Sequence, residues 1–459
     1  MICMRSRYQI EITDESTGSV FLPNELEVKT ALYHIAFGTI SIDAKFRQQQ
    51  DNRQKITISK DIAEKIKFPD MKIPLHLFIQ DETLMIGPLV GIFTSGFTPF
   101  PMRPVGERTM FFAKLLSVSK NIGALPFLFG EKHINWEHGT INGLFYHLDG
   151  WKSIEVPIPN VIYDRLPNRK SERQEEQRQV KARLQSEYLI PWYNPGFFNK
   201  LDINERLQQE ESILQYLPET QPFTSFSAIE RMLADYGHVY IKPINGSLGL
   251  GIHQVIYDKH EHAYYCRYRD YKTDSNKLRK FPTLEALMTH VFAGKKLNRL
   301  LVQQGIHLLR KVQRPIDFRV HTNKDENGNW NVTAIAGKIA GTGSVTTHVK
   351  NGGEVKSINE IFEDKNEQVQ AVDKLEKAAI ALSKAIDEQI EGIIGEIGFD
   401  LGLDREGNVW LFEANSKPGR SIFNHPQLKD FDLLTRKLSL SFSIYLTEQM
   451  MASPEELFK

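Results

Sequence analysis

A glycine-rich segment lies between two runs of residues that each alternate like a β-strand, which limits what this part of the chain can form. Glycines allow positive φ and close backbone approach, so their N–H groups can point at phosphate oxygens. We predict a β-hairpin that folds over phosphates, with Lys242 leading into it. The candidate phosphate ligands of this segment are Asn245, Gly246, Ser247, Gly249 and Gly251.

Better-known phosphate-binding motifs do not match this segment. A P-loop requires Gly-Lys-Ser/Thr at the start of a helix, and a dinucleotide fingerprint also requires a helix after the glycines. Here the next residues alternate like a strand. A protein kinase carries its lysine on a later strand, with catalytic-loop and Asp-Phe-Gly motifs downstream, and this sequence contains neither motif. On its own, the segment still leaves a plain glycine-rich hairpin open.

A second group of candidate ligands lies near the C-terminus, on two predicted strands joined by a short turn. Glu413 and Asn415 are two residues apart, so they face the same side of one strand, while Phe412 and Ala414 face the other side, toward the core. Asp400 lies on the partner strand. Carboxylate and amide oxygens suit Mg²⁺, which completes its shell with water and phosphates. A polar strand face exposed to solvent is the alternative.

The segment between these two groups contains a strand end that could contact a nucleotide base. The run ending at Gln303 and Gln304 reads as a buried strand followed by a polar turn. Backbone groups there, together with Ile306, could bind an adenine. An ordinary strand end explains the same pattern.

A further strand carries charged residues on one face. Asp317, Arg319 and His321 alternate, and Arg319 could clamp a phosphate or carboxylate through two hydrogen bonds. A surface salt bridge is an equally good explanation of a single arginine. Lys338 lies on the returning strand, and Thr346–Gly353 forms a polar loop that could close over a substrate.

The chain divides into four regions. Residues 1–86 read as a small β-rich accessory domain, and residues 87–165 read as an α/β domain. Residues 166–187 are dense in charges and read as a solvated linker or helix. Residues 188–459 carry the candidate site residues.

The composition narrows the possible partners and compartment. Lys plus Arg and Asp plus Glu are 57 each, so whole-chain charge does not favour nucleic-acid binding. No apolar run reaches the ~18 residues expected of a membrane span. With only two cysteines and no predicted secretory signal, we expect a cytoplasmic protein without nucleic-acid or membrane partners.

The order of the candidate residues resembles that of the ATP-grasp superfamily. The matching positions are Lys200, Lys242, the Gly246–Gly251 loop, Gln303, Gln304, Arg319, Asp400, Glu413 and Asn415. Lys200 is singled out by the resemblance alone. The sequence is also similar, over nearly its whole length, to the YheC/YheD group of spore-coat-associated proteins, through Gly87–Thr94, Phe198–Lys200, Leu217–Thr220 and Phe412–Gly419. Gln303 stands where many family members have a carboxylate near the adenine.

The resemblance implies a fold and an activity. The expected fold is mixed α+β and α/β: an ATP-grasp fold, whose two α+β lobes sandwich ATP, follows an α/β pre-ATP-grasp domain. The expected activity is carboxylate–amine ligation through an acyl phosphate, with ATP and one or two Mg²⁺ (or Mn²⁺) ions as cofactors. Small-molecule or peptide acids and amines would be the substrates. A non-catalytic ATP-binding scaffold of the spore coat is the alternative, with coat proteins as partners and a spore-associated location.

The resemblance also implies a role for individual residues. The expected roles are metal binding for Asp400, Glu413 and Asn415, α- and β-phosphate binding for Lys200 and Lys242, neutralisation of the transferred group for Arg319, and assistance in catalysis for Lys338 and Lys417. Glu396 could touch substrate or metal, and a buried structural carboxylate is an equal alternative.

Overall fold

A computed structural model describes residues 2–24, 26, 31–49, 54–244 and 249–457, with side chains from residue 6 onward. Within these residues the strands form four sheets.

The first sheet occupies the N-terminal β-rich region and closes on itself. Its strands are β1 (Ile2–Thr13), β2 (Ser19–Pro23), β3 (His34–Phe37), β4 (Ile40–Asp43), β5 (Lys45–Gln49), β6 (Lys55–Ser59), β7 (Pro74–Gln80) and β8 (Thr83–Gly87), with helix α1 (Lys60–Lys65) after β6. The order across the sheet is β4-β3-β8-β7-β1-β6-β2-β5. Because only Ala44 separates β4 from β5, the two edge strands are one stretch of chain, and the sheet curls into a barrel-like shape.

The second sheet is mixed and carries helices. Its strands are β9 (Leu89–Phe93), β10 (Leu125–Phe129), β11 (Ile134–Asn135), β12 (Thr140–His147), β13 (Gly150–Pro157), β14 (Val161–Asp164) and β15 (Trp192–Tyr193), and its helices are α2 (Thr109–Leu116), α3 (Ser119–Ile122), α4 (Arg169–Glu172) and α5 (Glu175–Ser186). Strand β9 pairs in parallel with both β10 and β14. Its short apolar run predicts such a buried parallel strand.

One apolar core joins the first two sheets. Ile58 of the first sheet and Phe127 of the second belong to the same buried cluster. The predicted boundary between residues 86 and 87 therefore falls within a continuous core, and the division into two domains stays a prediction. The charged segment forms α4 and α5, and Val180 and Leu184 of α5 pack into that core, because residues four apart share a helix face.

The third sheet contains the two strands predicted to flank the glycine-rich segment. Helix α6 (Lys200–Leu207) precedes it and packs into the core of the fourth sheet. Its own helices and strands are β16 (Thr220–Pro222), α7 (Phe226–Tyr236), β17 (His238–Pro243), β18 (His253–Asp258), β19 (Ala263–Asp270), β20 (Ser275–Phe281), α8 (Leu284–Val291) and β21 (Leu300–Gln304). The order is β16-β21-β17-β18-β19-β20. Helices α7 and α8 supply apolar residues to the core of this sheet.

The fourth sheet carries the predicted carboxylates. Its elements are β22 (Arg310–Lys311), β23 (Arg314–Lys324), β24 (Trp330–Ile339), β25 (Glu354–Lys356), α9 (Ile358–Ile361), α10 (Lys365–Gln389), β26 (Glu396–Leu403), β27 (Val409–Asn415), α11 (Lys429–Ala452) and α12 (Pro454–Leu457). The order is β25-β24-β23-β26-β27, and β22 pairs with β23. Helix α10 is amphipathic, and its buried residues Leu375, Leu382 and Ile386 pack in the core of this sheet.

A search of the described residues found no helix that is both long and apolar enough to cross a membrane.

Candidate functional site

A cavity lies between the third and fourth sheets and is covered in part by residues 345–349 of the loop after β24. Its apolar lining includes Tyr240, Ile252, Ile306, Leu308 and Phe412. Its charged lining consists of Lys200, Lys242, Asp317, Arg319, Lys338, Asp400 and Glu413, and His348 adds a polar ring. A mixture of apolar surface and a few convergent charged groups is typical of sites for small molecules.

The register of the fourth sheet brings its charged side chains together. Arg319 lies opposite Asp400 in the β23–β26 pair, and Asp400 lies opposite Glu413 in the β26–β27 pair. Asp317 lies opposite Lys338 in the β23–β24 pair. Side chains directly opposite each other on neighbouring strands share one face of a sheet. Five charged groups from four strands therefore reach one cavity.

Asp400 is held by two cations. Arg319 Nε donates to Oδ1 at 2.8 Å and Nη2 donates to Oδ2 at 3.2 Å. Lys338 Nζ lies 2.9 Å from Asp400 Oδ1 and 3.0 Å from Asp317 Oδ1. Burial by itself raises the pKa of Asp400, but Arg319 and Lys338 outweigh burial and hold that pKa well below its usual range. Asp400 is therefore ionised throughout the neutral range.

Lys200 enters the cavity from the start of α6. Asn199 caps this helix, since its side chain accepts a hydrogen bond from the backbone N–H of Leu201. On the buried face of α6, Leu207 packs into the core that contains Leu411 of β27. Lys200 Nζ consequently lies 3.2 Å from Glu413 Oε2. The lysine that only the family resemblance singled out thus meets a predicted metal ligand.

The surroundings of Lys242 shift its pKa. Burial, followed by the nearby charge of Lys200, lowers the pKa of Lys242 to about 8. Its Nζ donates to the side-chain oxygen of Gln303, and lies 5.6 Å from the ring centroids of Tyr240 and Phe412. The amide of Gln303 is occupied by Lys242 on one side and by Thr220 Oγ1, 2.9 Å away, on the other.

We expect nucleotide affinity to fall as the pH rises through about 8. Only protonated Lys242 attracts phosphate. Above this pKa, Lys242 of the free protein is mainly neutral, so the protein must take up a proton when the nucleotide binds. The fall is at most about tenfold per pH unit. Calorimetry in buffers of different ionisation enthalpy would measure the proton uptake. Lys242→Arg keeps its positive charge at these pH values, so its nucleotide affinity should change much less with pH. An equal pH dependence of the affinity in the variant and the wild-type protein would contradict the role of Lys242 in phosphate binding.

The glycine-rich segment joins the antiparallel strands β17 and β18, as predicted. Gly249 lines the cavity with a φ of +70°, and an added Cβ would lie 3.1 Å from Thr346 Oγ1. Gly251 also has positive φ but does not line the cavity. The predicted ligands Asn245, Gly246 and Ser247 lie outside the described residues.

Phe412 lines the cavity, although strand alternation predicts that it faces the core with Ala414. Between Asp400 and Leu401 the pairing of β26 with β27 shifts by one residue. Such a bulge places an extra residue on one strand and reorients its side chains. Both Phe412 and Glu413 consequently border the cavity, while Ala414 packs against the core as predicted.

The remaining candidates divide between the cavity and its surroundings. Ile306 and Gln303 line the cavity. The side chain of Gln304 points elsewhere and accepts a hydrogen bond from the backbone N–H of Glu219 at 3.0 Å. Asn415 donates to the carbonyl of Gly398 at 3.4 Å and is not part of the cavity lining.

Lys417 and Glu396 are both removed from the cavity. Lys417 Nζ lies 2.6 Å from Asp164 Oδ1 and 2.9 Å from Glu172 Oε1, with its side chain 2% exposed. A lysine enclosed in this way cannot reach a substrate in the cavity. Glu396 is fully buried and binds Arg165 and Arg420, which fits the structural alternative.

Several lining residues were not among the candidates. Tyr240 precedes Lys242 by two residues, so strand alternation could have placed both on one face. Asp317 was assigned to the face of Arg319 but received no role. Pro315 and Ser421 also line the cavity. No nearby sequence pattern indicates this, because their position depends on how distant segments pack.

The cavity contains oxygen donors of the kind that bind a metal ion. Asp400 and Glu413 are the carboxylates on paired strands, and Asn415 follows two residues later. Among the described residues, no three His, Cys, Asp or Glu side chains form a ready-made metal site. Mg²⁺ commonly uses one or two protein carboxylates and takes its other oxygens from water and phosphates. The residues therefore fit Mg²⁺ that is bound together with a nucleotide.

Comparisons with known proteins give a consistent result. A family model described as YheC/D like ATP-grasp matches residues 189–446. The chain is 41% identical to the endospore coat-associated protein YheD of Bacillus subtilis (strain 168), over 98% of this chain and 99% of that protein. It is 26% identical to the endospore coat-associated protein YheC of the same strain, over 59% of this chain and 73% of that protein.

Solved structures with a related chain trace share little sequence. One example is D-alanine–D-alanine ligase from Bacillus anthracis, with 13% identity and a TM-score of 0.44, covering 80% of this chain and 99% of that chain.

Proposed function

The chain belongs to the YheC/D-like ATP-grasp family, and on that premise we propose that it binds Mg–ATP between its third and fourth sheets and uses it to join a carboxylate to an amine. One observation carries the proposal. Four cationic side chains and three carboxylates from α6 and both sheets line a single cavity. The cations suit a triphosphate, and Asp400 and Glu413 suit its metal.

The proposed position of ATP follows from the chemistry of the lining. Tyr240, Ile306 and Phe412 would contact the adenine, and the second amide N–H of Gln303, which Thr220 does not use, would donate a hydrogen bond to the base. Lys200 and Lys242 would hold the α- and β-phosphates. The backbone of the glycine-rich segment would cover the phosphates from the side of Gly249.

The charged groups of the fourth sheet have a second proposed task. With ATP bound, Arg319 and Lys338 would turn from Asp400 toward the γ-phosphate, which leaves the carboxylate free for a cation. Asp400, Glu413 and Asn415 would hold Mg²⁺, which supplies charge neutralisation at the phosphate oxygens. Preorganised cations of this kind stabilise phosphoryl transfer chiefly through charge and alignment.

The proposed reaction has two steps. An oxygen of the substrate carboxylate attacks the γ-phosphorus, the bond to ADP breaks, and an acyl phosphate forms. The amine nitrogen then attacks the acyl carbon, inorganic phosphate leaves, and the nitrogen loses a proton as the amide forms. Arg319 would neutralise the acyl phosphate. We propose that Lys417 contributes indirectly, by fixing the turn that leads to the cavity-lining residue Gly419.

A product screen tests this function. Purified protein is incubated with Mg–ATP and pooled amino acids, peptides and polyamines, and separately with hydroxylamine, which traps acyl phosphates as hydroxamates. We expect ADP and phosphate release that requires an acid, with hydroxamate formation in the trapping reaction. Tight nucleotide binding without turnover would instead favour a non-catalytic scaffold. The names of the two Bacillus relatives lead us to propose a link to the spore coat in either case.

A further inference from the structure

Three arginines beside the cavity have too few acidic partners. They are Arg108, before α2, Arg165, after β14, and Arg420, after β27, and together we name them the arginine recess. The recess contains the buried carboxylate of Glu396, which binds both Arg165 and Arg420. Asp432 is shared between Arg420 and Arg436. Counting Arg436 with the recess, four arginines face the two carboxylates of Glu396 and Asp432, so positive charges exceed negative charges by two.

Arg420 is the most incompletely paired member. Its side chain is 7% exposed, and its Nη2 donates to Glu396 Oε1 at 3.0 Å and to Ser439 Oγ at 2.9 Å. Its Nε and Nη1 are buried and have no hydrogen-bond partner among the described residues. Asp432 is 3.9 Å from Nη1, but it also pairs with Arg436. Buried donors without acceptors are rare, because leaving them unpaired is costly.

The other two arginines complete the recess. Arg165 is 10% exposed and lies 3.2 Å from Glu396 Oε2. Arg165 and Arg420 stack against the same ring, with 5.1 and 5.6 Å to the centroid of Phe111. Arg108 donates to Thr94 Oγ1 at 2.8 Å and to the carbonyl of Ser95. It forms no ion pair with any residue that the structure describes.

The recess adjoins the charged part of the cavity, because His321 is close to Arg319 on the cavity side and to Arg420 and Arg165 of the recess. Arg420 lies between Gly419 and Ser421, and both of these neighbours line the cavity. His321, two residues after Arg319 on the same strand face, is fully buried. Both of its ring nitrogens lack a partner among the described residues. Polar groups of Arg420 and His321 that lack hydrogen-bond partners thus lie next to the part of the cavity where Arg319 would bind the acyl phosphate.

We propose that the arginine recess binds a second anionic group of the acid substrate, so that the acid carries a carboxylate or a phosphate besides the carboxylate that reacts. This inference rests on the proposed function. The reacting carboxylate would meet Arg319, and the second anion would accept hydrogen bonds from the unpaired donors of Arg420. Guanidinium groups are well suited to carboxylate and phosphate oxygens. An acid with one charge and an apolar tail would leave the recess unpaired.

The test compares three acids that differ only at one end. Succinate, 3-phosphonopropionate and butyrate present a carboxylate, a phosphonate or a methyl group on the same carbon chain. Their affinities for the full-length protein are measured by calorimetry in the presence of Mg²⁺ and a non-hydrolysable ATP analogue. We expect succinate or 3-phosphonopropionate to bind about tenfold or more tighter than butyrate, as one charge-assisted contact allows. The better of the two identifies the second anion.

Variants connect this preference to the recess. Arg108→Met removes one charge without leaving a carboxylate unpaired, and it should reduce the preference to about threefold or less. Arg420→Lys should reduce the preference to a similar extent. If Arg420→Lys does not fold, the result for Arg108→Met alone tests the inference. Arg178→Met, which breaks an exposed pair on α5, is the matched control and should keep the preference.

The outcomes separate two failures. If the analogue binds but the wild-type protein does not prefer a dianionic acid, or if both recess variants keep the preference, this inference is overturned while the proposed function stands. If the wild-type protein does not bind the nucleotide analogue, the proposed function fails and the inference fails with it.

Discussion

Replacing Glu413 by alanine is expected to weaken Mg–ATP binding by about 100-fold or more, because the variant loses one of the two carboxylates that can hold the metal at the phosphates. Glu413 lies opposite Asp400 across β26 and β27, and its partner Lys200 remains 16% exposed. Both side chains line the cavity, so water can reach Lys200 in the variant, and the loss of folding stability should be about 1 kcal/mol, the upper end of the range for pairs in contact with solvent. Calorimetric titration with Mg–ATP and thermal unfolding measure the two effects separately.

The control for this variant is Glu406→Ala. Glu406 lies on the exposed turn between the same two strands, so its removal changes the charge equally without touching the cavity. Its Mg–ATP affinity should match that of the wild-type protein. Unchanged affinity in Glu413→Ala, with normal folding, would count against the metal assignment.

Replacing Arg319 is expected to reduce turnover more than it reduces binding. Its guanidinium holds Asp400 through two hydrogen bonds, and we propose that it neutralises the transferred phosphoryl group. An arginine in that role contributes about 10³-fold or more to kcat. Arg319→Lys keeps the charge beside buried Asp400 but loses the paired geometry. We expect a fall in kcat of at least about 100-fold, with the Kd of Mg–ATP changed by less than about tenfold.

The hydroxamate reaction measures this effect without knowledge of the natural amine. Arg314→Lys is the matched control, since Arg314 lies on the same strand and pairs with Glu354 outside the cavity. Both variants should unfold at similar temperatures, because each keeps its positive charge. A kcat for Arg319→Lys within about threefold of the control would remove Arg319 from the reaction.

Strand periodicity predicted much of the candidate site. Asp317 and Arg319 share one face, as their spacing requires, and the register of β23 places them opposite Lys338 and Asp400. The flanks of the glycine-rich segment pair as the predicted hairpin. These features depend on alternation within a few residues, and the family resemblance added Lys200.

Features that depend on irregular backbone were not predictable in the same way. The shift between Asp400 and Leu401 turns Phe412 toward the cavity, and alternation alone contains no sign of it. Lys417 reads as a site residue from its motif, yet it is enclosed by Asp164 and Glu172.

The amino-acid sequence by itself determined which side chains share a strand face, because that alternation is a property of the local backbone. Only the tertiary structure decided which of those faces meet. Lys417 pairs with Asp164, which is 253 residues away in the chain. Arg420 pairs with Glu396 because separate elements pack together. Such long-range pairs depend on how the sheets and helices bury their apolar surfaces against one another, and no local sequence pattern predicts that arrangement.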